Sequence, residues 1–179
     1  MKKILLIVFI AFILAVCIAP LQSQLPEPCL EFANEKEREL VCPQDVIQDV
    51  IFQDLRTPNC SGLRITPVLH NTRKVNHFYI GSGGVKIDLV RLLELKSAKL
   101  GKKVDIIAVI VWTKHFAGST PQPIITAYDS KNQWLDQDVG PAVQNKLDRL
   151  VVVSPGISYI EIRGVEVAIL KICFMYTCD

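Results

Sequence analysis

Leu147-Asp148-Arg149-Leu150-Val151-Val152-Val153-Ser154-Pro155-Gly156-Ile157-Ser158-Tyr159-Ile160-Glu161-Ile162-Arg163-Gly164-Val165-Glu166-Val167-Ala168-Ile169-Leu170-Lys171-Ile172-Cys173-Phe174 is the stretch that decides the fold. Three runs rich in Val, Ile and Leu, at 147–153, 157–162 and 167–174, are separated by Ser154-Pro155-Gly156 and Arg163-Gly164. β-branched side chains lose rotamer freedom in a helix and pack well on a pleated surface. Each run therefore reads as a strand, and the Gly and Pro between them read as chain reversals.

The same grammar extends upstream. Leu63–Leu69, His77–Ile80, Val85–Val90, Val104–Trp112 and Ile124–Tyr128 are further short apolar runs. Gly81-Ser82-Gly83-Gly84, Gly118-Ser119-Thr120-Pro121 and Asp129-Ser130-Lys131-Asn132 supply turn chemistry between them. Many short strands with regular turns predict an all-β antiparallel sandwich or barrel. The run Asp105–Trp112 is too short to cross a membrane as a helix and reads as a central strand. Leu89–Leu100 has helix-compatible leucines, but within a sandwich it reads as a connection and a strand ending at Gly101. Asp45–Leu55 is open to either helix or strand.

The N-terminus has a different character. Met1-Lys2-Lys3 precedes an unbroken apolar run from Ile4 to Ala19, the anatomy of a secretory signal peptide over residues 1–23. Ala15 and Cys17 suit a small-x-small cleavage site, and Leu14-Ala15-Val16-Cys17 leaves lipoprotein processing at Cys17 as an alternative. Residues 24–179 then form a single domain with no transmembrane span. The chain has 20 Lys+Arg against 18 Asp+Glu, and losing Lys2 and Lys3 leaves the mature domain formally neutral. No run of basic residues exceeds two, so nothing here has the signature of a nucleic-acid binder.

Of six cysteines, Cys29, Cys42, Cys60, Cys173 and Cys178 lie beyond the leader. Exported cysteines pair, and none of these has the spacing of a zinc ribbon. The odd number leaves one free or shared between chains. Spacing alone does not assign the pairs.

Motifs in the C-terminal half point to a family. Pro123–Leu135, with Thr126-Ala127-Tyr128-Asp129, resembles the V-T-A-Y-D-x-x-G-x-x-V hairpin of galactose-binding-like β-sandwich domains, with Asn132 where that pattern has Gly. Leu147–Ile162 resembles their L-x-V-x-G-x-G-I-x-x-I-x-I strand pair. Glu166–Phe174 resembles the final E-A-x-L-x-x-I-C-Y strand of secreted bacterial members, and Cys29-Leu30-Glu31-Phe32 resembles their opening strand. The resemblance implies a two-sheet jelly roll whose first and last strands lie side by side, placing Cys29 against Cys173. Cys42 with Cys60 is then the natural second pair, leaving Cys178 unpaired. Pairing Cys178 with Cys42 or Cys60 is the alternative. The family holds carbohydrate-binding modules, adhesins and envelope proteins, so fold likeness does not by itself name a function.

The chemistry-bearing residues are sparse. His70, His77 and His115 have no metal-ligand spacing and read as surface or turn histidines. Ser82 lacks the setting of a nucleophile elbow, and its glycine-rich surroundings lack the Lys-Ser/Thr ending of a phosphate loop. Asp129, Asp136 and Asp138 are candidate calcium ligands, with solvated loop acids as the plainer reading. No other cofactor is indicated. Aromatics give the sharper binding hypothesis, because sugar C–H faces stack on rings. Trp112, His115 and Phe116, on an expected long loop spanning 112–122, and Trp134, beyond the Asp129–Asn132 turn, are the candidate ligand contacts.

The expected function is a secreted or periplasmic, non-catalytic binding module. It would take glycans or another envelope surface through loops at one end of the sandwich. The alternative is a structural or protein-interaction module of the cell envelope, either monomeric or linked into a dimer through Cys178.

Overall fold

The computed structural model describes residues 29–40, 45–55, 63–70, 73–116, 122–141, 143 and 145–178. The expected leader over residues 1–23, with Cys17, lies outside them, as do Cys42 and Cys60. The strands are β1 (Cys29–Glu31), β2 (Arg38–Glu39), β3 (Asp45–Ile47), β4 (Val50–Asp54), β5 (Leu63–His70), β6 (Arg73–Asp88), β7 (Val104–His115), β8 (Ile124–Tyr128), β9 (Trp134–Val139), β10 (Leu147–Val153) and β11 (Tyr159–Cys178). One helix, α1 (Val90–Leu100), joins β6 to β7. It is not long and apolar enough to cross a membrane.

All eleven strands belong to one hydrogen-bonded, antiparallel network that curls around a common core, in the order β10-β7-β11-β6-β4-β3. Two long strands hold it together. β6 runs 16 residues, pairing β5 along its first half and β4 near its end. β11 runs 20 residues, with β6 and then β1 along one edge and β8 and then β7 along the other. Sequence reasoning separates successive strands at Gly81–Gly84 and Arg163-Gly164, where turns are expected. Both stretches instead lie inside continuous strands, paired with each other through Arg163↔Gly84 and Gly164↔Gly83.

The glycines there serve close approach and bending. A Cβ on Gly84 would stand 2.7 Å from the Ile162 carbonyl oxygen, and Gly83 has φ +94°. Across the ladder Glu166 adopts φ +53°, next to the point where β11 exchanges β8 for β7. Irregular residues inside a ladder increase twist and redirect the strand without ending it.

Leu89–Leu100 also departs from expectation. After Val90 the segment contains Leu, Arg, Glu, Lys, Ser and Ala and no β-branched residue, a composition that favours helix. Asp88 Oδ1 accepts the Val90 N–H at 3.0 Å, and Gly101 closes the helix at φ +63°. Leu92 and Leu93 rest against the core. Asp45–Leu55 resolves as the β3–β4 hairpin, reversed at Gln48 and Asp49, both with positive φ. The Asp129–Asn132 and Pro155–Gly156 turns fall where the sequence places them, and Asn132 takes the left-handed conformation at φ +62°.

The core is aliphatic, with Phe32, Phe52, Phe78 and Phe174 fully buried within it. Phe52 and Phe78 lie 4.9 Å apart between ring centroids. Cys29 and Cys173 are disulfide-bonded, as the family resemblance implies, and Cys178 carries an exposed free thiol.

Candidate functional site

Alternation along β7 sorts the candidate residues. Val109, Val111, Thr113 and His115 point into the core, whereas Trp112 and Lys114 point outward, with Phe116 just beyond them. The strand runs to His115, so the first part of the expected loop, Trp112–His115, is ladder, and its outward residues are held on a sheet face. Residues 117–121 lie outside the described residues.

Cross-strand register builds that face. Directly opposed residues on neighbouring strands share one side of a sheet. One outward row reads Arg64–Tyr79–Ala168–Lys114–Leu147 across β5, β6, β11, β7 and β10. The next reads Arg149–Trp112–Lys171–Glu31 across β10, β7, β11 and β1. The contacts are specific. Lys171 Nζ sits 4.4 Å from the Trp112 ring centroid, and Lys114 Nζ sits 5.3 Å from that of Phe116. Arg64 Cζ lies 5.0 Å from the Tyr79 centroid, and the Tyr79 and Phe116 rings are 6.5 Å apart. Lys114 Nζ also donates to the Leu69 carbonyl oxygen at 3.1 Å, bringing the end of β5 toward β7. Burial pushes the Tyr79 phenol above its ordinary range; the Glu166 charge adds to this and Arg64 opposes it. Each cation–ring contact is worth roughly 0.5–1 kcal/mol at an exposed site. Its larger effect is to lay the basic stem along the ring with the charged end toward water.

His115 stands apart from this face. It is 3 % exposed, in the inward row Leu63–Ile80–Val167–His115, and neither ring nitrogen has a hydrogen-bond partner among the described residues. Its neighbour Thr113 is equally buried, with Oγ1 unpartnered. His77 is also buried, with Nδ1 2.5 Å from the Val75 carbonyl oxygen. The two histidines are therefore not the surface or turn residues expected: alternation turns His115 into the core, whereas His77 lies on the same side of β6 as Tyr79 and is buried there.

Trp134 is 61 % exposed and begins β9, opposite Tyr128. Tyr128 stacks on Tyr159 with centroids 4.7 Å apart and planes 9° from parallel, and Lys86 Nζ lies 4.0 Å from the Tyr159 ring centroid. This is a separate group of rows, on β9, β8 and the first part of β11.

The three acids proposed for calcium bond to backbone N–H groups. Asp129 Oδ1 accepts from Lys131 and Gln133 at 2.8 Å each, closing the turn. Asp136 accepts from Gln137 and Val153, and Asp138 from Val139 and Val151, at 2.7–2.9 Å. The last two carboxylates thereby cap N–H groups of β10 on the side away from β7. Among the described residues no group of three or more His, Cys, Asp or Glu side chains is arranged to hold a metal.

Sequence reasoning singled out Trp112 and Phe116 from this face but missed Tyr79, Arg64, Arg149 and Lys171. No local motif marks those residues, which meet only through register.

No protein-family model matches the chain, and no curated protein matches it. Among solved structures it is similar to one described as "Family 16 Carbohydrate Binding Module-2", at 11% identity over 65% of this chain and 85% of that one, with a TM-score of 0.35. It is also similar to the enzymatically active domain of tailspike protein 4 of bacteriophage CBA120, at 12% identity and a TM-score of 0.32. That match covers 84% of this chain and only 21% of the tailspike domain.

Proposed function

We propose that the protein is a secreted, non-catalytic carbohydrate-binding module that engages its ligand on the sheet face bearing Trp112, Tyr79 and Phe116. The supporting observation is the placement of three aromatic rings, from β6, β7 and the residue just after β7, on one outward face, interleaved with Lys and Arg donors. Sugars offer apolar C–H faces to rings and hydroxyls to polar side chains, and a ladder presents both at fixed spacing. The disulfide fits an oxidising compartment. The curled network is read as a bent sandwich of the galactose-binding-like kind, with β6 and β11 shared by its two halves.

Affinity electrophoresis in polysaccharide gels tests this reading. Retardation by at least one polymer is expected, with loss in Trp112→Ala and Phe116→Ala proteins of native circular dichroism. Retention by no polymer, or retention indifferent to both substitutions, removes the proposal.

A second reading, a protein-interaction module of the cell envelope, draws on the exposed thiol of Cys178 at the end of β11. Non-reducing electrophoresis discriminates. A dimer abolished by Cys178→Ser favours an assembly role, and a monomer in oxidising buffer counts against it.

A further inference from the structure

We infer that the ligand of the aromatic face is an acidic polysaccharide, one carrying carboxylate or sulfate groups along its chain. This rests on the glycan reading of that face and goes beyond it by naming the ligand's charge. The argument is one of uncompensated cations. Arg64, Lys114, Arg149 and Lys171 all lie on the two outward rows, and none forms an ion pair with another described residue. Elsewhere Arg38 pairs with Asp45, Lys103 with Asp105 and Arg163 with Glu161, while others, Lys102 among them, are single exposed charges. What sets these four apart is that they share one face with the aromatic rings. The acids of the face are Glu31, opposite Lys171, Glu39, opposite Arg64, and Glu166, near Tyr79; Glu31 and Glu39 close the ends of the two rows, so cations and not acids flank the rings.

Placement beside the rings is what makes these cations selective. Arg149 and Lys171 are the cross-strand neighbours of Trp112 on either side. Arg64 lies over Tyr79, and Lys114 over Phe116. A sugar ring settling beside any of these aromatics would place its acidic substituent within reach of an ammonium or guanidinium. Opposite charge beside a stacking surface is complementary to a polyanionic glycan, whereas a neutral polymer would leave those cations uncompensated. A mature chain with no net charge carries this cationic patch locally, so the face and not the whole molecule would attract the polymer.

The test compares matched polymers on the full-length protein: carboxymethyl cellulose against hydroxyethyl cellulose, and dextran sulfate against dextran. Polyglutamate and a single-stranded oligonucleotide are added as non-glycan polyanions. The acidic polymers should bind about tenfold or more tightly than their neutral partners at low salt and lose that advantage as salt rises. Lys171→Gln and Arg149→Gln should each reduce acidic-polymer affinity several-fold, Lys171→Arg should retain it, and Lys102→Gln, on the turn after α1, should leave it unchanged. Equal binding of neutral and acidic polymers, abolished by Trp112→Ala, would overturn the acidic inference and leave the glycan reading standing. Polyglutamate or oligonucleotide bound as tightly as the acidic glycans would overturn both, showing plain polyanion capture. Binding of none of the probes would remove both as well.

Discussion

Cys29 and Cys173 face each other across β1 and β11 and are joined by a disulfide, although 144 residues separate them in sequence. The bond ties the opening strand to the strand through which nearly every other element connects. Closing so long a loop restricts the unfolded chain by about 5 kcal/mol in the chain-entropy model, with measured values commonly about 2–4 kcal/mol. Reduction, or a Cys29→Ser/Cys173→Ser double substitution, should lower unfolding free energy by several kcal/mol. Urea titrations with and without dithiothreitol measure it, and coincident curves would show that β1 is held by its ladder alone.

Asp136 and Asp138 should matter to stability. Each accepts one N–H of β10, from Val153 and Val151, where no backbone partner is in place. A hydrogen bond to a charged acceptor contributes about 1.5–3 kcal/mol, and removing it leaves a strand N–H to be satisfied by water. Asp136→Ala and Asp138→Ala should each lower stability by about 2 kcal/mol. Calcium or a chelator should leave the melting temperature where it was, because these oxygens already serve the backbone. A calcium-dependent rise in melting temperature would instead support the metal reading.

How much was legible follows from what kind of signal each feature leaves. Strands announce themselves locally, so Val104–Trp112 and Leu147–Val153 could be read from β-branched runs, and the Asn132 turn from its composition, whereas the extension of β7 to His115 was read as loop. Gly81–Gly84 could not, because glycine marks both a reversal and a bend inside a ladder, and only pairing with Arg163 and Gly164 distinguishes them. The helix at Val90–Leu100 was masked by its leucines, which suit either element once the surroundings read as β. At the site, residue type alone picked Trp112 and Phe116. The inward turn of His115 and the meeting of Arg64, Tyr79 and Lys171 depend on register between strands far apart in sequence, which composition does not carry.

Thr113 and His115 form a pair of buried polar side chains without partners among the described residues, side by side on the inward face of β7. An unsatisfied buried group costs about 1–3 kcal/mol, and an apolar replacement of the same shape removes that cost. Thr113→Val is nearly isosteric and should raise stability by about 1 kcal/mol. His115→Leu should do likewise, and neither should alter polymer binding, because neither side chain reaches the aromatic face. Chemical denaturation measures the first effect and affinity electrophoresis the second. A destabilised Thr113→Val protein would mean that the hydroxyl has a partner in solution.

Alkali should unfold the protein through its tyrosines. The chain has four, Tyr79, Tyr128, Tyr159 and Tyr176, and burial is the main cause holding every one above the ordinary phenolic value of 10.0. The effect is largest at Tyr176, which is part of the packing around Phe174 and whose hydroxyl is buried without a partner. A group whose folded-state pKa lies above its unfolded value favours folding fully below the unfolded value. That contribution is lost as pH rises through the folded one. Stability should therefore hold up to about pH 10 and fall beyond it, since the unfolded chain releases phenolic protons that the folded chain retains. Absorbance at 295 nm should show delayed phenolate formation, then a steep rise coinciding with loss of the β-sheet circular dichroism. Tyr176→Phe removes the most strongly shifted group together with its unpartnered hydroxyl, and should move that step to higher pH. Four phenols titrating gradually around their ordinary value, with the sheet signal intact, would show that none of the four is shielded as the structure places them.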